Sequence, residues 1–214
     1  VSDQKLLNMY VEKMPVDSKS QLSLYSTEGC KPLLDVSNDP IYGIYYMNPY
    51  LYVISGVNVY KIASDMTKTN IGNVGATNGV VRMADNGTQI LVVKPNGDAY
   101  IITENSVAKI DDEDFPVVSD VAFNSQYFIV TEKDTGKFYW SALLDGTSWS
   151  ALAYATQESN PDNVVGLMEN KGDLWIFGDK TIEIWSPTGN PDLPFQRIGS
   201  GILNIGCKSA KTRS

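Results

Sequence analysis

Two short segments of this 214-residue chain carry side chains whose types and spacing could do chemistry. One is the acidic run Asp111-Asp112-Glu113-Asp114, and the other is Leu144-Asp145-Gly146-Thr147-Ser148-Trp149. The acidic run lacks the alternating ligands and turn glycine of an EF-hand loop, so it reads as a solvated loop rather than a calcium site. The chain has no histidine. That removes Ser-His-Asp and Cys-His nucleophile arrangements together with the commonest general base. No GxGxxG or GxxxxGK[ST] phosphate loop is present. The two cysteines, Cys30 and Cys207, are far apart and lack CxxC spacing. Without imidazole partners they make no metal centre. A disulfide stays open on spacing alone, with reduced and buried thiols the expectation. Asp and Glu are plentiful enough for a two-carboxylate glycosidase, but their spacing picks out no pair.

A substrate carboxylate would ask for clustered arginines. The chain has three, Arg82, Arg197 and Arg213, and they share no recognisable context. The Leu144–Trp149 stretch resembles the Asp-box of sialidases and other propellers. In those proteins the box is a structural hairpin turn, its Asp capping backbone amides and its Trp packing between blades. The resemblance implies the same roles for Asp145 and Trp149. No catalytic, cofactor-binding or metal-binding residue is therefore expected. A carbohydrate-binding or glycoside-hydrolysing propeller is kept as the alternative.

The net charge of −8 disfavours wrapping nucleic acid with the general surface, which needs clustered Lys and Arg. It leaves room for DNA only at a channel that it slides past. No apolar run approaches the roughly 20 residues that span a bilayer, and no basic stretch followed by an apolar one marks a secretory signal. With 43% hydrophobic residues the chain can build a sizeable core.

The elements that would position any site recur four times, over Ile41 to Ala63, Val80 to Thr103, Val118 to Leu143 and Asn163 to Pro187. In each, an apolar strand leads through a tight turn into a denser apolar strand, then through a second turn into a third. The dense strands are Leu51-Tyr52-Val53-Ile54, Ile90-Leu91-Val92-Val93, Tyr127-Phe128-Ile129-Val130 and Leu174-Trp175-Ile176-Phe177. Asp85-Asn86-Gly87, Pro95-Asn96-Gly97, Asp134-Thr135-Gly136 and Asn170-Lys171-Gly172 supply the turns, where Gly or Asn tolerates positive φ. A repeat of about 40 residues is the spacing of β-propeller blades. One blade cannot cover both faces of its sheet, whereas stacked neighbours can. The expectation is an all-β, β-propeller-like fold of about four antiparallel blades with little helix. Trp149, Trp175 and Trp185 are expected to be mostly buried as blade packing, like most of the twelve Tyr and four Trp.

A further resemblance runs along nearly the whole chain and is densest from Gly146 to Cys207. It is carried by Gly146-Thr147-Ser148-Trp149, Tyr154-Ala155-Thr156-Gln157-Glu158, Asn160-Pro161-Asp162, Gly166-Leu167, Leu174-Trp175-Ile176-Phe177-Gly178, Thr181-Ile182-Glu183-Ile184-Trp185, Thr188-Gly189, Pro194-Phe195-Gln196-Arg197 and Gly206-Cys207. At the N-terminus, Leu7-Asn8-Met9-Tyr10-Val11-Glu12 and Leu24-Tyr25-Ser26-Thr27-Glu28-Gly29 continue it. The ordered series resembles the packaged-DNA stabilisation protein of short-tailed phages and prophages, the hub of the podoviral tail machine. The family usually has Pro at the position of Glu28. The resemblance is to the family's N-terminal half, so the propeller is expected to be incomplete. A truncated gene product or a fragment would each account for this.

The resemblance implies a non-enzymatic virion tail protein, made in the cytoplasm of a bacterial host. It would close the portal channel, retain packaged DNA and seat the tail needle. The implied partners are further copies in a ring, the portal adaptor ring, the needle and the tailspike, with no membrane. The division expected along the chain is an N-terminal extended segment over 1–40, propeller blades over 41–207 and the start of a missing blade or tail over 208–214.

Overall fold

The computed structural model describes residues 9–27, 29, 31–157 and 162–209. Of the positions singled out above, Leu7, Asn8, Glu28, Cys30, Glu158, Asn160, Pro161 and Lys211-Thr212-Arg213-Ser214 lie outside the described residues. The chain forms two compact units, 1–35 and 36–214.

In the first unit, β1 (Met9–Lys13) pairs antiparallel with β2 (Leu22–Ser26), Met9 opposite Ser26 and Lys13 opposite Leu22. Tyr10 and Tyr25 face each other across this ladder with ring centroids 5.8 Å apart. Cross-strand aromatic pairs of this kind are the stabilising unit of a two-stranded ribbon.

The described residues of the second unit form four antiparallel sheets, each a meander of four strands in sequence order. Blade 1 is β3 (Ile41–Met47), β4 (Tyr50–Ser55), β5 (Asn58–Ile62) and β6 (Lys68–Asn73). Blade 2 is β7 (Arg82–Asp85), β8 (Ile90–Val93), β9 (Ala99–Ile102) and β10 (Val107–Lys109). Blade 3 is β11 (Val118–Asn124), β12 (Tyr127–Glu132), β13 (Lys137–Trp140) and β14 (Tyr154–Thr156). Blade 4 is β15 (Val164–Asn170), β16 (Asp173–Gly178), β17 (Ile182–Pro187) and β18 (Phe195–Leu203). No helix occurs among the described residues. The all-β, antiparallel, propeller-like architecture expected from the repeats is the one the chain adopts.

Each blade has one strand more than the three-strand pattern. The added fourth strands explain why they escape a hydrophobicity reading. Strand β6 is Lys-Thr-Asn-Ile-Gly-Asn, β10 and β14 are three residues each, and β18 is broken by Gly199 and Gly201. Outermost strands pack on little, so they need no apolar run.

Among the described residues the core is three clusters, each lying between two consecutive blades. Tyr52 and Ile54 of β4 meet Ile90 and Val92 of β8. The alternate residues of β8, Leu91 and Val93, point the other way and meet Phe128 and Val130 of β12. Ile129 of β12 then meets Leu174 and Ile176 of β16. Successive side chains of a strand face opposite sides. A strand sandwiched between two neighbours must therefore be apolar at every position, which is why the second strands read as unbroken hydrophobic runs. Burying one such Ile or Leu contributes about 1.5–3 kcal/mol. Among the described residues no cluster joins blade 4 to blade 1, so the four blades form an open array.

This alternation corrects one expectation. Trp149 and Trp185 are buried, but Trp175 is only half-buried. Leu174 and Ile176 on either side of it point into the cluster shared with blade 3. Trp175 therefore takes the opposite face, where no described sheet stacks.

Candidate functional site

The described polar residues converge on the joints between blades. Within the Leu144–Trp149 turn, which connects β13 to β14, the Asp145 carboxylate accepts from the Thr147 backbone N–H at 2.9 Å and from its hydroxyl at 2.7 Å. Gln89, between β7 and β8 of blade 2, reaches the same turn. Its amide donates to Asp145 at 3.4 Å, and its oxygen accepts the Gly146 N–H at 2.9 Å. The Asn86 side chain donates to Leu144 O at 2.9 Å. Hydrogen bonding, foremost from the Thr147 hydroxyl and then from its amide, holds the Asp145 carboxyl below its ordinary range.

Trp149 sits in the cluster between blades 2 and 3, and its indole Nε1 donates to Gly146 O at 2.9 Å. A Cβ on Gly146 would meet Ile101 Cδ1 at 2.7 Å and the Phe128 ring at 3.0 Å, so any larger residue there requires these side chains to shift. The acidic run occupies the loop from β10 to β11, with Asp111, Glu113 and Asp114 exposed. Asp112 turns inward. Its carboxylate accepts the Trp149 N–H at 3.0 Å and the Asp114 N–H at 2.9 Å. Phe115 stands edge-on to Trp149 with centroids 4.8 Å apart. The two segments that looked chemical from sequence thus meet around a single tryptophan. Among the described residues no three His, Cys, Asp or Glu side chains come close enough to hold a metal ion.

The described arginines each face a buried acid on a strand. Arg82 Nε lies 3.9 Å from Asp120 Oδ1, and Arg197 lies 3.5 Å from Glu183 Oε1. Asp120 Oδ2 also accepts the Leu167 backbone N–H at 2.8 Å. Glu183 Oε2 accepts from Trp185 Nε1 at 3.0 Å. Asp162 Oδ2 accepts the backbone N–H groups of Lys180 and Thr181, each at 2.8 Å, closing the turn from β16 to β17. Lys94 is buried and donates to Val74 O at 2.9 Å, tying blade 2 to the end of blade 1. The Tyr45 hydroxyl donates to Asp85 at 2.7 Å across the same joint; burial, with Asp85 beside it, raises the phenol well above its ordinary pKa. Asn124 donates to Gly172 O at 2.9 Å between blades 3 and 4.

Asp120 and Lys94 were not named from sequence, and Asp162 and Glu183 stood there only within family motifs, with no role given to them. The usable signal was a charge at an inward position of an apolar strand, as in Ile182-Glu183-Ile184-Trp185. Buried charges of this kind persist only when they are paired or hydrogen-bonded. Cys207 is half-buried rather than in the core. It lies beyond β18, where its N–H donates to Gly178 O at 2.8 Å and its Sγ is 3.2 Å from Ser209 O.

The blade repeat and its joints agree with a sequence pattern that matches residues 2–214, described as the bacteriophage P22 Gp10 β-propeller. The chain belongs to the bacteriophage P22 Gp10 β-propeller family. This is a phage DNA-stabilisation family, and its members are phage structural proteins, components of the virion. No curated protein matches the chain. Among solved structures, the chain is similar to the crystal structure of the computationally designed Ika4 protein, at a TM-score of 0.53 and 10% identity over 72% of this chain and 95% of that one. At that identity the likeness bears on the fold alone. Within the Gp10 family fold, the carboxylates described here serve as joints between and within blades.

Proposed function

We propose that this chain is a non-catalytic part of the tail machine of a short-tailed phage or prophage, which closes the portal channel after packaging, retains the DNA and seats the tail needle. The membership of residues 2–214 in the P22 Gp10 family carries this reading. The chemistry of the joints supports it. Asp145, Asp120, Asp162 and Glu183 hold backbone amides, an indole or a guanidinium, and a carboxylate committed in this way is a poor general acid or nucleophile. A plug that resists pressurised DNA needs blades that do not slide past one another, and buried polar contacts that each have one geometry resist sliding. The working form is an oligomer on the tail axis, its copies meeting side to side in a closed ring. The portal adaptor ring, the needle and the tailspike are its neighbours, and DNA meets it only at the channel.

Deletion of the gene in its phage or prophage tests this. The expected result is heads that package DNA and then leak it, with retention restored by a wild-type copy. Normal, DNA-filled infectious particles from the deletion would overturn it.

A further inference from the structure

The joint between blades 1 and 2 carries a hollow of about 340 Å³, at the small end of ligand pockets. Three turns line it: Asn48 and Pro49 between β3 and β4, Gly87 and Thr88 between β7 and β8, and Glu104 and Asn105 between β9 and β10. Tyr52 lies at its base, fully buried in the cluster shared by the two blades. Among the described residues the Tyr52 hydroxyl has no hydrogen-bond partner. The packing of the cluster needs only the ring, which a phenylalanine would supply. A buried tyrosine hydroxyl ordinarily finds a partner. Burial first, then the Glu104 carboxylate nearby, raises this phenol above its ordinary pKa, so it keeps its proton. Lys61 crosses from β5 to the turn between β9 and β10. It donates to Asn105 Oδ1 at 2.8 Å and lies 3.4 Å from Glu104 Oε1, with its ammonium 4.5 Å from the centre of the Tyr50 ring.

The lining decides the class of ligand. A cation would face the Lys61 ammonium, and a phosphate or carboxylate would face Glu104 in a chain of net charge −8. An apolar ligand would strip water from the Tyr52 hydroxyl and from Asn48 and Thr88 without replacing it. Lys61 and Glu104 offset each other, which leaves a neutral set of hydroxyl and amide groups able both to donate and to accept. A sugar hydroxyl does the same, and a hollow of this size holds one ring rather than a length of chain. We propose that the hollow is a binding site for one neutral pyranose ring, with the Tyr52 hydroxyl donating to one sugar hydroxyl and Glu104 accepting from another. Glu104 is the only carboxylate among the described residues of the lining, and cleavage of a glycosidic bond ordinarily takes a pair, so the site binds without hydrolysing. The site stands apart from the portal-closing reading and is compatible with a non-catalytic protein.

Titration of the 214-residue chain with the methyl glycosides of glucose, galactose, mannose and N-acetylglucosamine, to tens of millimolar and followed by amide NMR, tests this. The expected result is saturable shifts at Asn48, Thr88 and Asn105 with at least one of the four, and none with glycerol. The uronic-acid counterpart of the best binder, which adds a carboxylate, should bind more weakly. Tyr52→Phe should keep or raise the melting temperature and weaken the best binder about fivefold, as loss of one hydrogen bond does. Glu104→Gln should weaken it in the same direction, and Glu113→Gln, at an exposed acid in the loop from β10 to β11, should leave it unchanged. Should Tyr52→Phe lower the melting temperature, Glu104→Gln at the exposed rim carries the test alone. No saturable shift with any of the four overturns the proposal, as do equal shifts with glycerol or tighter binding of the uronic acid. Affinity that Glu104→Gln leaves intact overturns it too, as does affinity left intact in a stable Tyr52→Phe. Shifts at these amides caused only by another tail protein overturn it in favour of a protein contact. DNA leakage from the gene deletion reports on the functional reading and the titration on this hollow, so the two fail separately.

Discussion

The carboxylate of Asp120, on the first strand of blade 3, accepts the backbone N–H of Leu167 on the first strand of blade 4 at 2.8 Å. Its other oxygen lies 3.9 Å from Arg82 on the first strand of blade 2. A single buried side chain therefore joins three consecutive blades. Truncating it strands a buried amide and leaves Arg82 without this acid, a loss of about 2–4 kcal/mol. Asp120→Ala should lower the unfolding free energy by that amount in urea titrations. Asp120→Asn, which keeps an oxygen for Leu167, should cost less. An Asp120→Ala variant as stable as wild type would show that the joint is energetically idle.

Trp149 and Trp175 should separate cleanly. Trp149 is 7% exposed in a cluster built from two blades, so Trp149→Ala should cost about 3–5 kcal/mol. Trp175, half-buried on the outer face of blade 4, should cost about half of that or less, since much of its surface already touches water. Equal losses in denaturant melts would mean that Trp175 is covered by something besides the described residues.

The Asp145 turn should leave a mark on acid stability. Its carboxyl pKa is lower in the folded chain than in the unfolded one, chiefly through the Thr147 hydroxyl and amide. The unfolded state therefore takes up this proton first as pH drops. The stabilisation is complete above the ordinary carboxylate range and drains away as pH falls through that range towards the folded value. Asp145→Asn should flatten this part of the stability-versus-pH curve while changing the slope near neutrality little. An unchanged acid limb in thermal melts from pH 7 down to about 3 would remove Asp145 from the account.

Gly146→Ala should destabilise by about 1–3 kcal/mol, as overpacking of a filled core does. The added methyl would press on Ile101 and Phe128, both in the cluster between blades 2 and 3. Adding Ile101→Val should recover part of the loss. No recovery in the double variant would locate the strain elsewhere in the turn.

The blades were legible because sandwiched strands must be apolar throughout, and Ile90-Leu91-Val92-Val93 has no other comfortable environment. The turn chemistry was legible at Asn96-Gly97 and Asn170-Lys171-Gly172, where Gly97, Lys171 and Gly172 take positive φ. Asp134-Thr135-Gly136 was read correctly as a turn, although Asp134 rather than Gly136 adopts the left-handed conformation. The fourth strands were hidden because an outermost strand needs only backbone pairing, which leaves no pattern in Lys68 to Asn73. The buried acids were hidden for a different reason. Whether Asp120 or Glu183 faces a neighbouring blade depends on which face of the strand is covered, and sequence periodicity alone does not say which partner covers it. Trp175 was misread by the same step: its strand is apolar on both faces, but only one face has a described neighbour.

The alternation along β8 and β12 has an evolutionary consequence. Each cluster is owned half by one blade and half by the next, residue by residue, so an entire blade is not a portable part. Recombination that imported a foreign stretch from Val118 to Thr156 would have to match two half-cores at once, one against Leu91 and Val93 and the other against Leu174 and Ile176. The heritable module of this array is the joint. Lineages should drift by paired changes on facing strands more readily than by shuffling whole blades.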